Sequence, residues 1–584
     1  MNPQNPRTHR KPHRKTQKKR TALFIMSCFL TMIFCFTCLF VYHIVTQEEA
    51  DDEAILTAHI DLPEPSPIAT PPPTPPPTPT PTPEPTPPPP PPPPWETFAP
   101  HSLPETAPEA FSRFSFINAV DESMSLEPIS FELPENYTNV RGVTTFRGNN
   151  FRNNPTWGTV NVTEEKIESR YEVRMGTLGK WTGAGWTGQP VIIQWDDDIR
   201  EMMNLHPNMR EKEGLVEVIQ GSMDGYIYFF ELTTGQETRP RIHFGDVIKG
   251  GVTVDARGYP LLYVGQGDIV GTNRFGYYIF SLIDGSELFF LNGRERFASR
   301  QWGAFDGNPL FTSDDRLILG GENNVLYSMV LNTDFDRAAG TISIEPVISR
   351  YMHAGSRRTG IENSVAAFGH YVFFADNAGI IQCVDLHTLE PVWVFDAGDD
   401  TDASLVLEWE EEHERLVLYT GSQVDLAGRA ANSYIRKLDA VTGEVLWEQA
   451  IHCGFNADVN GGVLATPLSG RHDIADLVIF SIARTIGRGG SGMVIAFCKE
   501  TGEEIWEFPM SFGWSSPVAV YNEDGTSYVI VSDSGGRMFM LRGTTGEELS
   551  RLNLGGNVEA SPAVFDNMLV VATRGQRVFG VEVK

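Results

Sequence analysis

Three tryptophans (Trp186, Trp302, Trp514) and three acids (Asp306, Glu362, Asp458) share one kind of position: each stands shortly before a short apolar run of strand composition, as in "GWTGQPVII", "QWGAFDGNPLF" and "GWSSPVAV". Indole faces give apolar platforms and attract cations through the ring quadrupole, and carboxylates give directed acceptors, so the set could hold a sugar or a cation. A structural role suits the same residues, with the rings capping sheet ends and the acids facing water. No other constellation competes with them. The chain has no G-x-x-x-x-G-K-[ST], no H-E-x-x-H and no G-x-S-x-G, so no catalytic residue is expected. "GRGGSG" from Gly487 lies between strand-type runs and opens no helix, which makes it a hairpin loop and not a phosphate cradle. The acid runs "WDDDIRE" from Trp195 and "WEEEHER" from Trp409 lack the alternating spacing of an EF-hand and read as solvated loops. Cys28, Cys35 and Cys38 fall in one apolar span, and Cys383, Cys453 and Cys498 show no C-x-x-C spacing. Neither a zinc site nor a disulfide framework is expected.

What must position these residues is a repeat. "TGEVLWEQ" begins at Thr442, "TGEEIWEF" at Thr501 and "TGEELSRL" at Thr545, and each Thr-Gly lies between two apolar runs. Glycine accepts the positive φ of a tight turn, so each phrase is the last hairpin of a structural unit. Equivalent turns at Gly235, Gly285, Leu389, Gly443, Gly502 and Gly546 are spaced by 50, 104, 54, 59 and 44 residues. The long interval hides a degenerate copy near "LNTDFDRAAG". A period near 50 residues with about four strands per copy describes propeller blades. A second recurrence marks the innermost strand: "GQPVII", "GNPLF", "ATPLSG", "SSPVAV" and "ASPAVF" put a small residue and a proline at a strand's start, with diverged copies at "KGGVTVD", "IENSVAAF" and "DASLVLEW". Eight inner strands imply eight blades. The last copy has only three strands before Lys584, whereas "KIESRYEVRMG" precedes the first without a partner. Joining them would close the ring and remove both open edges.

These repeats resemble those of the pyrroloquinoline-quinone-type propellers, whose motif is A-x-D-x-x-T-G-x-x-x-W. Asp439, Thr442, Gly443 and Trp447 match it, as do Ala496, Thr501, Gly502 and Trp506, and in part Asp385, Thr388 and Trp393; Arg239, Phe289 and Ser550 replace the Trp elsewhere. "TTFRGNNFRNNPTWG" from Thr144 is similar to the Arg-Gly-x-Asn opening that often precedes such propellers. The resemblance covers about residues 141 to 584. It implies an all-β, eight-bladed propeller in which the Trp packs between blades. In the dehydrogenases of this family the quinone is paired with two adjacent cysteines and a calcium ion held by acidic and amide side chains. No adjacent cysteines and no C-x-x-C-H haem site occur here, so the resemblance points to the non-enzymatic relatives, with no cofactor.

The formal charge is -29, yet residues 1 to 20 carry eight Lys and Arg and no acid, which leaves -37 on the remainder. Such a body repels nucleic acid. The basic tail (1 to 20) runs into 25 residues from Thr21 to Val45 without a formal charge, enough for a transmembrane helix with its N-terminus held in the cytoplasm. No A-x-A site follows, so an uncleaved signal-anchor is expected. Residues 46 to 140 read as a disordered stalk, acidic and proline-rich, with 18 prolines among the 24 residues from Pro71 to Pro94. Polyproline II would extend that run by about 75 Å. The sequence therefore describes a monomeric single-pass cell-surface protein whose ectodomain, 141 to 584, binds an envelope protein or glycan without catalysis. A quinone- and calcium-dependent sugar or alcohol dehydrogenase is the alternative.

Overall fold

The computed structural model describes residues 92–124, 130–186, 188–271, 273–355, 359–456 and 459–584. The expected membrane span at 21 to 45, the polyproline run before residue 92 and Asp458 lie outside the described residues. Among the described residues no helix is long and apolar enough to cross a membrane.

Eight antiparallel sheets follow one another around an axis, and their innermost strands are Val191–Gln194, Val252–Val254, Leu310–Phe311, Ala366–Phe368, Val406–Glu410, Leu468–Ser469, Val518–Tyr521 and Ala563–Phe565. We number the blades 1 to 8 in that order. All eight inner strands coincide with the small-residue and proline signals. Ring closure also follows the sequence: Ile167–Arg174 pairs antiparallel with Arg577–Val583 and supplies the fourth strand of blade 8. The degenerate copy is blade 3, where an inserted hairpin, Asp334–Asp336 with Thr341–Ser343, replaces the Thr-Gly turn. "WDDDIRE" holds a short helix, Asp197–Met202, that tucks Ile199 into the core and leaves its three aspartates exposed.

The repeated Trp and Gly act on each other across blade boundaries. Gly443, Gly502 and Gly546 have φ of 74°, 72° and 70°, and a Cβ on them would lie 2.6, 2.8 and 2.5 Å from Trp393, Trp447 and Trp506 of the preceding blades. Each indole N–H donates to the carbonyl three residues before that glycine, on Ala440, Lys499 and Gly543, at 3.0, 2.8 and 3.0 Å. Blade 1 has Arg239 in the Trp position, and its guanidinium donates to the equivalent carbonyl, Leu282 O, at 2.9 Å. The buried charge is balanced by the equally buried Glu217, 2.6 Å away. At the closure, Tyr171 on the N-terminal strand packs against Gly235 of blade 1.

The small residue before each inner strand forms a belt. Asn308 N–H donates to Ser364 Oγ, Ser364 N–H to Ser404 Oγ, Ser404 N–H to Thr466 Oγ1, Thr466 N–H to Ser516 Oγ and Ser516 N–H to Ser561 Oγ, at 2.8 to 3.2 Å. From blade 3 to blade 8, each blade is thus fastened to the next at the same register.

The segment around residues 141 to 157 plugs the channel. Its ends lie beside the last residues of inner strands, Arg141 opposite Gln194 and Trp157 opposite Phe565. Its middle reaches the strand beginnings: Arg147 donates to Pro517 O and Pro467 O, and Arg152 to Val365, Asn308 and Pro309 carbonyls. Backbone bonds from Val254, Ala367, Leu407 and Val564 to Thr144, Asn150, Phe151 and Pro155 occupy inner edges that would otherwise face an open channel.

The expected stalk boundary at residue 141 does not mark the start of the ordered body. Residues 92–124 and 130–140 form a strap over blades 2 to 5. Phe98 is buried against Phe368 and Tyr371, Thr106 bonds to Thr442 O and Val394 N–H, and Phe116–Ala119 adds a fifth strand to blade 3. Their polar, irregular composition hides this role, because a strap needs only scattered anchors and no period.

Candidate functional site

With one end plugged, the channel opens where the inner-strand entrances meet the hairpins between second and third strands. The sequence places acids on three consecutive blades there. Asp306 lies at the entrance of blade 3 and Glu322 in its "GGENN" hairpin; Glu362 and Asn377 hold the same two positions on blade 4; Asp400 and Asp402 precede the inner strand of blade 5. Blade 2 contributes Lys249, whose Nζ is 3.7 Å from Asp306 Oδ2. The entrances crowd: a Cβ at Gly250 would meet Asp306 O at 2.4 Å.

Carboxylate oxygens of Asp306, Glu322 and Glu362 all lie within 4.8 Å of one another. Asn377 Nδ2 donates to Glu362 Oε1 at 2.9 Å, and Gln423 Nε2 donates to Asp402 Oδ2. Even so, Asp306 Oδ1, Glu322 Oε1, Asp400 Oδ1 and Asn377 Oδ1 are buried acceptors without a donor. Their residues are almost wholly inaccessible in the case of Asp306 and Glu322, at 1% and 3% exposure. Crowded, dry carboxylates resist ionisation. Burial pushes Asp306 up to about 6, with Glu362 adding to the effect and Lys249 opposing it. Burial and then the charges of Glu362 and Asp306 raise Glu322 well above the usual range. Asp400 and Asp402 are raised by burial and by neighbouring acids. Burial works against the Lys249 ammonium, but Asp306, Glu322, Glu362 and Asp268 outweigh it and hold its pKa above that of ordinary lysine. An all-oxygen donor set of this kind suits a hard cation or an organic ammonium. Beside it an open cavity of about 670 Å³ is lined by Arg300, Glu362, Asn377, Asp400, Asp425 and Phe455.

Of the residues singled out by sequence, Asp306 and Glu362 come together in this cluster. Trp302 lies four residues before Asp306, half-buried, edge-on to Phe275 with ring centres 5.1 Å apart. Trp186 and Trp514 are half-buried on blades 1 and 7, and Trp514 packs near Phe512 while its buried Nε1 finds no acceptor. Sequence reasoning missed Glu322, Asp400, Asp402 and Lys249, although "DDTDA" at an inner-strand entrance was a visible signal. It also missed Trp181, whose ring has Lys180, Lys249 and Arg574 at 4.9, 5.7 and 5.9 Å. That ring gathers three basic side chains, of which Lys249 also reaches Asp306 of the acidic arc and Arg574 pairs with Glu559. Cys383, Cys453 and Cys498 are free thiols.

Fold and site together define a closed eight-bladed propeller with one plugged end and one charged mouth. Residues 490–584 match the family described as outer membrane protein assembly factor BamB. A stretch of 117 residues, 20% of this chain, is 31% identical to the quinoprotein alcohol dehydrogenase PedE of Pseudomonas putida and covers 16% of that enzyme. The chain thus spans about a sixth of the length of that curated relative. Among solved structures, the quinohemoprotein alcohol dehydrogenase ADHIIG from Pseudomonas putida HK5 superposes with a TM-score of 0.51 at 12% identity, over 76% of this chain and 80% of that one. BamB from Moraxella catarrhalis gives a TM-score of 0.44 at 18% identity, over 71% and 98%. At 12% identity the likeness to ADHIIG shows the fold alone.

Proposed function

We propose that this protein is a non-catalytic binding module, anchored in the cell membrane through residues 21 to 45, that presents its propeller outside the cell and grips a cationic group of a protein or envelope polymer. The observation that supports this reading is the convergence of unpartnered buried acceptors on Asp306, Glu322, Asp400 and Asn377 at the open mouth. Leaving such atoms without a donor costs about 1 to 3 kcal/mol each, a cost that a cationic ligand would remove. Trp186, Trp302 and Trp514 stand around the rim as apolar platforms, and the match to the BamB family is compatible with a protein partner.

The test places a photo-crosslinking amino acid at Trp302 in intact cells. One dominant adduct, lost when Glu322→Gln and Glu362→Gln are combined, is the expected result. An adduct pattern indifferent to those changes overturns the reading.

A quinone-dependent dehydrogenase is the second reading, favoured by the 31% identity to PedE. Asp306, Glu322 and Glu362 fit a calcium ion, which would polarise a bound oxygen. The three cysteines outside the apolar span are never adjacent, so the ring that faces the quinone in such enzymes has no counterpart. Stoichiometric uptake of pyrroloquinoline quinone with calcium, followed by dye reduction on addition of an alcohol, would establish this reading in place of the first.

A further inference from the structure

The closed end of blade 4 carries a second donor cluster of different chemistry. His370 lies in the turn between Ala366–Phe368 and Tyr371–Ala375, and Asp385 and His387 lie in the turn between Ile380–Asp385 and Glu390–Asp396. The two turns are tied by Leu386 N–H donating to His370 O at 2.8 Å. The imidazoles stack with centres 4.3 Å apart and planes 16° off parallel. His370 Nε2 is 3.7 Å from Asp385 Oδ2, and His387 Nδ1 is 4.0 Å from Asp385 Oδ1. One ligand atom from each of the three residues falls within 4.8 Å of the others. We propose that His370, Asp385 and His387 bind a borderline divalent transition ion, Zn²⁺ or Cu²⁺, on the plugged face of the propeller.

Two imidazole nitrogens and one carboxylate oxygen suit zinc or copper and not calcium or magnesium, which take oxygen. Such an ion sits about 2.0 to 2.2 Å from each donor and in the plane of each imidazole, so the donors must close by about 1 Å and the stacked rings must turn about their soft Cβ–Cγ torsions to converge on it. Three protein ligands leave a position for water or an outside donor. The side chains remain 22% to 31% accessible, which leaves an entry path. The carboxylate is already oriented, because Asp385 Oδ1 accepts the His387 backbone N–H at 2.7 Å. That bond is the ordinary turn cap of the repeat, as Asp439 accepts from Val441 at 2.7 Å in blade 5. The histidines are what blade 4 adds: His387 stands where blade 5 has Val441, and His370 where blade 8 has Asn567. The strap frames the site, with Asn118 Nδ2 bonded to Thr388 O and Leu389 O and Phe131 bridged to Gly369.

The repeat itself supplies fold-compatible variants, His387→Val and His370→Asn. Full-length protein stripped with chelator is titrated with ZnCl₂ by equilibrium dialysis in the presence of excess Ca²⁺, which occupies all-oxygen sites. One zinc equivalent is expected in the parent and in Glu322→Gln. Both histidine variants should melt with the parent and bind that equivalent at least about tenfold more weakly, since even an outer-shell defect costs that much. Unchanged zinc binding in both variants overturns the proposal. A measurement on the unaltered protein decides independently of folding: Zn²⁺ should shield His370 and His387 from carbethoxylation, read by peptide mass spectrometry, and equal labelling of both with and without zinc overturns the site.

Discussion

Single side chains in this molecule fall into two classes that a substitution separates. Trp447 fills the seam between blades 5 and 6 and donates to Lys499 O, which also accepts from Lys437 Nζ, so Trp447→Ala removes the packing and one of two donors; a loss of about 3 to 5 kcal/mol is expected in urea unfolding. Arg239→Ala should cost as much for another reason, because it leaves Glu217 charged, buried and unpaired. Trp302 and Trp514 are half-buried at the mouth, and alanine there should lower the melting temperature far less while weakening ligand capture by about 1 to 3 kcal/mol, the scale of a lost aromatic anchor. A pH signature belongs to the acidic cluster. Its carboxyls titrate higher when folded than when unfolded, so between about pH 4 and 6 the folded state holds the extra protons, and their contribution to stability falls as pH rises through that window. Glu322→Gln removes one of the repelling charges. The variant should match the parent near pH 4 and exceed it in stability at pH 7, both in chelator; a constant difference across that range would show that these carboxyls ionise normally.

At the scale of elements, the sequence was most legible where structure repeats. Thr-Gly turns, seam tryptophans and small-residue entrances recur because every blade solves the same problem, and counting them located all eight inner strands and the N-terminal strand that closes blade 8. Elements that occur once left no period to read. The strap at 92–124 and 130–140 is held by Phe98, Thr106 and one added strand, and its composition is that of a loop. Glu322 was missed for a related reason: a hairpin glutamate looks solvated until the neighbouring blade supplies Glu362. Truncation tests the difference. Removal of residues 1 to 91 should leave the described body intact. Removal through 140 strips the strap, exposes Phe368 and Tyr371, and should lower the melting temperature. Removal through Gly176 opens blade 8 and should abolish cooperative unfolding, since two sheet edges are exposed at once. Equal melting of the last two would mean that the ring closes without its N-terminal strand. The hydroxyl belt predicts a smaller step: Ser516→Ala deprives Thr466 N–H of its acceptor and should cost about 0.5 to 2 kcal/mol.

For the whole molecule, the plug is what turns eight separable sheets into one body with one open end. In a propeller each blade touches only its neighbours, as in linear repeats, and cooperativity then rests on adjacent seams. Arg147 and Arg152 add connections across the ring, because one guanidinium binds carbonyls of blades 6 and 7 and the other binds carbonyls of blades 3 and 4. Neither has an acid partner at its hydrogen bonds. Burial pushes their pKa values down to about 9 and about 10, still above neutral pH, so both enter the core as cations solvated by peptide dipoles. Arg152→Met should therefore leave the Val365, Asn308 and Pro309 carbonyls without their donor and cost several kcal/mol, at about 1 to 3 kcal/mol for each unsatisfied group. Lysine should not rescue it, since one ammonium with three donors cannot reproduce a planar fork that reaches both blades. Hydrogen exchange distinguishes this account from a local defect. With the plug loosened, protection should fall at inner-strand amides on distant blades, Val254, Leu407 and Val564 among them, whose acceptors lie on the same segment. If exchange quickens only beside Val365 and Pro309, the plug fills the channel without coupling the blades around it.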